Sequence, residues 1–412
     1  MDNRSYRPKL RPVDSQWIDH AGQPALVLQD RLGLSGRAVV VPRTLVPLLS
    51  LCDGTRDIPT LRVAMELHTG IRLEPSLIER VLAQLDDTLM LDNEHFAEAY
   101  RQAQADYRAA PFRQPLLAGS GYPSEPSKLG ALLDGWLTEA AAHRDGRLPP
   151  GQLPRGVICP HIDYDRGGPI YAQLWDAARE AVAQADLFIV LGTDHGGSPA
   201  EVTLTRQSYQ TPFGVLPTDL EAVDQVAEAM GPEVAFRSEL NHRVEHSVEL
   251  AAVWLHHLVG GRTVRMLPVL CGSFHPFTEG DGRPSLDERW RTAAAALRGV
   301  AESNRTLVIA AADLAHMGPA FGDRDPMGAV ERATLASFDT EMLAAVCRGD
   351  AEGFLDLLRR ERDRWKVCGL PPIYLALHIL GQVQGEVVAY SQCPAPAESV
   401  VSVAGVLLNG TG

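Results

Sequence analysis

Residues 155–196 read RGVICPHIDYDRGGPIYAQLWDAAREAVAQADLFIVLGTDHG. Two short apolar runs, 157–159 and 187–191, bracket a helical pattern over 169–185. This is the pattern of a β-α-β unit, because two parallel strands need a crossover, and the crossover is almost always right-handed. Both strands then point the same way, and each runs into a histidine: His161 after the first, His195 after the second. Ligands of open α/β sheets bind outside the carboxyl ends of the strands. Two imidazoles at that edge are well placed to hold one metal ion.

The same alternation continues outward to the C-terminus. Apolar runs at 202–205, 264–270, 307–312 and 385–390 alternate with helical patterns at 218–230, 244–259, 286–300, 329–347 and 351–358. The expected fold class is therefore α/β, a mostly parallel sheet covered by helices on both faces. Reactive side chains cluster just past the strands: Tyr164 near His161, Asp194 beside His195, Ser273 and His275 after 264–270, and Asp313 and His316 after 307–312. Parallel strands would bring these groups to one crevice. His246 begins a helix, with Glu245 before it and Glu249 after, and a carboxylate beside an imidazole can orient it or take its proton. Cys368 precedes Gly369 and two prolines, so a turn leads into a helix there, and a thiol at a helix start can be acidified.

Towards the N-terminus the pattern changes. Residues 1–108 form a small α+β domain with winged-helix-like order: strands at 25–28 and 38–41, helices at 46–51, from 58 onward and at 74–85, and a closing strand at 89–91. A proline-bearing linker spans 109–117, and the α/β domain takes 118–412. Pro149 and Pro150 lie in a further proline-containing stretch ahead of the first α/β strand.

Composition bounds the function. At 412 residues the chain exceeds what one core usually supports. Its net charge of −14 argues against a nucleic-acid partner, and within 1–108 basic residues are slightly outnumbered by acidic ones. No apolar run has the length of a membrane span and the first residues lack a signal-peptide core, so a cytoplasmic, membrane-free protein is expected. The six cysteines form no C-x-x-C pair, which leaves free thiols as the expectation.

Several segments together resemble the Memo family, which includes the AmmeMemoRadiSam system protein B proteins. They are AGSGYP with LDGWL, PHIDYDRGG, LGTDH, EHSVEL, LPVLCG, AADLAHMG, VCGLPPI and the SVVSVAG stretch near the end. The resemblance covers about residue 118 to the C-terminus and implies a fold like that of class III extradiol dioxygenases, with a non-haem iron or copper pocket. It carries metal-binding roles onto His161 and His195, and a catalytic or nearby role onto His246. It also implies a cysteine between the Asp and His of AADLAHMG, where this chain has Ala315. The third ligand must then come from elsewhere, from His246 or from Asp313. The segment at 45–91 is similar to small PqqD-like domains, which implies a protein or peptide partner for the N-terminal domain.

The function expected is a metal-dependent redox enzyme of the extradiol-dioxygenase type, acting on a small or peptide-borne aromatic group. His161, His195 and His246 would bind Fe(II), with copper or zinc as alternatives, and His246, Asp313 and His316 would supply catalytic groups. Tyr164, Asp194, Glu245 and Cys368 would line the pocket. The rivals are a non-catalytic peptide-binding protein that uses the same pocket and, more weakly, a zinc hydrolase.

Overall fold

The computed structural model describes residues 6–142 and 153–410, so Pro149 and Pro150 lie outside the described residues. The chain divides into two compact units, Met1–Ala109 and Ala110–Gly412.

The first unit opens with a three-stranded antiparallel sheet, β1 (Asp14–His20), β2 (Gln23–Gln29) and β3 (Val39–Pro42), in the order β1-β2-β3. Ala21 and Gly22 both have positive φ, the geometry of a tight hairpin turn. Helices Val46–Leu51, Ile58–Thr69, Pro75–Asp87 and Glu94–Ala109 follow. Asp57 caps the second helix by accepting from the Thr60 N–H. Leu48, Leu61, Ile78, Leu82 and Leu85 meet in the core of this unit. The α+β class fits, but the expected closing strand at 89–91 is only an isolated bridge, Leu10 to Leu91. Strands at 25–28 and 38–41 precede the helices as expected, but the closing strand on which the winged-helix reading rested is reduced to that bridge.

The second unit is built on an eight-stranded sheet. Its strands are β4 (Pro154–Cys159), β5 (Leu187–Asp194), β6 (Val202–Leu204), β9 (Arg265–Gly272), β10 (Thr306–Ala311), β11 (His316–Met317), β12 (Val383–Ala395) and β13 (Ser399–Gly410). A small hairpin of β7 (Tyr209–Thr211) and β8 (Gly214–Leu216) stands apart. The strand order is β11-β13-β4-β10-β5-β9-β6, with β12 paired to β13. The central four, β4, β10, β5 and β9, are parallel, and β13 and β6 flank them antiparallel. The sheet is thus parallel at its centre and mixed overall. β13 was not anticipated as a strand, although it is buried over most of its length.

Two hydrophobic cores cover the two faces. Helices Leu220–Met230, Glu288–Ser303, Ala329–Cys347, Ala351–Arg360 and Leu370–Leu380 contribute to one. Helices Pro126–Ala142, Tyr164–Ala177 and Ser247–Val259 contribute to the other. The segment at 110–117 is not a free linker. Arg113 is buried within the second unit, and the Arg113 N–H donates to Ser208 O.

Two glycines let the layers close over the carboxyl edge of the sheet. A Cβ on Gly192, in β5, would collide with Ser247 and Val248 at the start of the helix after His246. A Cβ on Gly369 would run into the Asp313 carbonyl, just past β10. Glycine at each position permits a backbone approach that no other residue allows.

Candidate metal centre

Register explains why the histidines meet. Ala311 at the end of β10 pairs with Cys159 of β4 on one side and Gly192 of β5 on the other. β4 and β10 therefore end level with Gly192, two residues before β5 ends at Asp194, and β10 lies between the two strands that lead to His161 and His195. The two strands of the β-α-β unit are thus not neighbours in the sheet.

Asp313, two residues past β10, sits in that gap. Its Oδ1 accepts from the N–H groups of His161 (2.8 Å) and Ile162 (3.1 Å), and its Oδ2 is 3.8 Å from His161 Nε2. Asp313 thus shapes the turn that carries His161.

Each imidazole is fixed through Nδ1. His161 Nδ1 lies 2.9 Å from the Ala311 carbonyl, which can only accept, so this nitrogen carries a proton and Nε2 is the atom turned towards the crevice. The Glu245 carboxylate does the same for His195, with Oε2 3.0 Å from Nδ1, and its Oε1 lies 3.2 Å from His246 Nδ1 as an electrostatic contact. Glu245 also accepts from the main-chain N–H groups of His195, His246 and Ser247. This buried carboxylate is held well below its usual range: burial opposes its charge, but His195, His246 and the Ser247 N–H outweigh it. An acceptor behind each ring is the arrangement commonly found behind metal-bound histidines. The ring centroids lie 5.1 Å (His161–His195), 5.6 Å (His161–His246) and 5.1 Å (His195–His246) apart.

A thiol joins the two imidazoles as a candidate third donor. Cys368 Sγ is 3.3 Å from His161 Nε2, and the ligand atoms of His161, His195 and Cys368 all lie within 4.8 Å of one another. Cys368 reaches the crevice because Gly369 packs on the Asp313 carbonyl and starts the buried helix Leu370–Leu380, whose N-terminal end favours negative charge. Burial works against the thiolate, but His161 and His316 draw the thiol down from 9.0 to about 5. Burial likewise opposes the His161 cation, and Asp313 with Cys368 still lifts the ring from 6.5 to about 9. Ala315 is buried and bonded through its backbone to Ser402, so position 315 has no part in the site. The thiol that the resemblance located there comes instead from Cys368, named only as a pocket residue. The sequence offered one clue, the Cys-Gly-Leu-Pro-Pro helix start.

The other candidates are placed as follows. His195, Glu245 and His246 form a second ligand-spaced group, but Glu245 is already committed to N–H donors. Burial pushes His246 down from 6.5 to about 4, so its ring is neutral near pH 7. Asp194 accepts from Asn241 Nδ2 at 2.9 Å, and burial raises it to about 6. The Tyr164 phenol donates to the Leu250 carbonyl inside the aromatic core and does not open to the site. His316 lies in β11 with its ring against Phe321 and its Nδ1 near the Leu314 and Lys366 carbonyls, outside both ligand-spaced groups. His275 is exposed and pairs with Glu279, so it does not join the crevice.

A family model described as Memo-like protein matches residues 113–407, most of the chain. The chain belongs to the Memo-like family. A MEMO1 family protein of Aquifex aeolicus is 26% identical over 405 residues, covering 97% of this chain and 99% of its own. The likeness to that relative therefore takes in the N-terminal unit as well as the Memo-like one. A MEMO1 family protein of Methanosarcina acetivorans is 27% identical over 262 residues, 63% of this chain and 83% of its own. One from Thermus thermophilus is 26% identical, covering 82% of this chain and 95% of its own. Among the described residues, no helix is long and apolar enough to cross a membrane.

Proposed function

We propose that this Memo-like chain is a metal-dependent redox enzyme whose ion is held by His161, His195 and Cys368. The observation that carries this reading is the meeting of two imidazoles and an acidified thiol within 4.8 Å, each ring fixed from behind by an acceptor. Two imidazoles and a thiolate are a soft donor set that suits copper(I), and they also accept iron(II) or zinc. A bound copper or iron ion would supply one-electron redox chemistry.

The protein's own groups have separate tasks. Glu245 keeps His195 Nδ1 protonated and turned inward. His246 is neutral, part-exposed and 5.1 Å from His195 between ring centroids, so it is the proton acceptor for a substrate entering from that side. This departs from the expectation that His246 is itself a ligand. The substrate class remains the one implied by the family resemblance, a small or peptide-borne aromatic molecule, and the N-terminal unit is the partner-contacting module.

A second reading rests on one contact. Cys368 and His161 at 3.3 Å, with the thiol lowered and the ring raised, also describe a thiolate nucleophile that needs no metal. Metal analysis of untagged protein separates the two. The expected result is near-stoichiometric metal in the natural protein and in His246→Ala, with loss in His161→Ala, His195→Ala and Cys368→Ser. Natural protein without metal, but with Cys368 rapidly alkylated, would favour the nucleophile. Unchanged metal in Cys368→Ser would remove the thiol from the ligand set.

A further inference from the structure

We propose that Arg113 is a positioning residue for the His195–His246 pair, acting on it through the main chain of Glu245. The proposal rests on the reading of these histidines as the working groups of the site.

Arg113 lies four positions past the helix Glu94–Ala109, yet its side chain is among the most deeply buried in the protein. A buried guanidinium is tolerated only when its N–H groups are matched. Here Nε donates to the His242 carbonyl at 2.9 Å, Nη2 donates to the Glu245 carbonyl at 2.7 Å, and Nη1 pairs with the Glu249 carboxylate. The Tyr209 ring lies 4.9 Å from the guanidinium carbon.

The two carbonyls have something in common. His242 and Glu245 belong to the end of the short helix Asn241–Val244, where the last carbonyls lack partners within the helix. Arg113 supplies those partners with one rigid, planar fork. Its counter-ion works from the other side: Glu249, in the first turn of Ser247–Val259, accepts from the N–H groups of Leu116 and Leu117 and from the Tyr122 hydroxyl. The segment from Arg113 to Tyr122 is therefore a strap bonded to both helices that flank Glu245 and His246.

Glu245 is the joint. Its carbonyl is held by Arg113, and its carboxylate holds Nδ1 of His195 and lies against Nδ1 of His246. Arg113 touches neither ring in these contacts, yet it fixes the residue that aims both. Lysine could keep the charge opposite Glu249, but a single ammonium lacks the planar fork that reaches two carbonyls and a carboxylate together.

The test uses the full chain and Co(II) as the probe, read by affinity and by the visible ligand-field spectrum, which reports ligand geometry. Arg113→Lys is the main variant. The double variant Arg113→Met/Glu249→Leu removes the strap's charges together and leaves neither buried and unpaired. Arg305→Lys, at the exposed pair with Asp186, is the control. The expected result is natural-type circular dichroism in all three. Co(II) affinity should fall about 10–100-fold in both Arg113 variants, the scale for lost support of metal-bound histidines, with an altered spectrum. The control should be unchanged. Natural-type affinity and spectrum in either folded Arg113 variant overturns the proposal. Unfolding of both variants does so as well, since Arg113 would then serve folding alone. In metal-free protein, the Nδ1–H proton resonances of His195 and His246 should shift or exchange faster in Arg113→Lys. That readout holds even if the natural protein takes up no Co(II), a result that would count against the metal reading and not against Arg113.

Discussion

At 3.3 Å, the Cys368 thiol and the His161 ring move each other's titration in opposite directions. Burial alone would leave both neutral. Instead the thiol falls from 9.0 to about 5 and the ring rises from 6.5 to about 9. A depressed thiol adds stability in full above its ordinary value and loses it as pH falls through about 5. A raised imidazole adds stability in full below its ordinary value and loses it as pH rises through about 9. The metal-free ion pair therefore persists between about pH 5 and 9 and breaks on either side. Thiolate ultraviolet absorbance, measured against Cys368→Ser, should titrate near the lower limit. A midpoint at the ordinary thiol value would mean that the pair does not form. Other residues here could be read from sequence only in part. His161, His195 and His246 stood out because each follows an element boundary. The role of Cys368 depends on tertiary closeness to His161, which no local pattern records. Arg113 gave no signal at all, since a lone arginine between prolines looks like solvent-exposed chain.

Among the elements, the approach of two helix starts to the sheet edge decides the geometry. Gly192 admits the helix Ser247–Val259, and Gly369 admits Leu370–Leu380. In Gly369→Ala the new methyl meets the Asp313 carbonyl, and main chain cannot step aside as a side chain can. The expected cost is roughly 1–3 kcal/mol of stability, the usual range for overpacking, read from denaturant midpoints. Cys368 should also be displaced, with weakened metal uptake. Unchanged stability and unchanged uptake would show that the contact relaxes freely. The strands feeding this edge were legible because each is a short apolar run between helical patterns. β13 escaped because glycine, serine and alanine dilute its apolar residues, and its burial comes from pairing with β4 and β12. The hairpin of β7 and β8 is too short to carry a period. In the first unit, the helices at 46–51, from 58 and at 74–85 showed their apolar faces plainly. The isolated bridge at Leu91 shows how three apolar residues can be mistaken for a strand.

For the molecule as a whole, the position of the unit boundary has practical weight. The second unit begins at Ala110, and its buried contacts begin almost at once: Gln207 Nε2 donates to the Ala110 carbonyl, and Arg113 follows. A fragment starting at Ala110 should fold and keep metal uptake. One starting at Leu116 lacks the strap's arginine and leaves Glu249 buried without its cation, a loss of about 3–5 kcal/mol for a broken buried pair. Thermal unfolding of the two fragments side by side is the measurement, and equal midpoints would contradict it.

The place of β10 between β4 and β5 has a consequence for the newly made chain. β4 and β5 leave the ribosome long before β10, and until it arrives their facing edges have no native partner. Such edges invite mispairing, and distant strand partners slow folding. Cys368 is translated later still. The proposed donor set is therefore complete only after all four central strands have been translated, so an ion held by it would arrive too late to guide their synthesis.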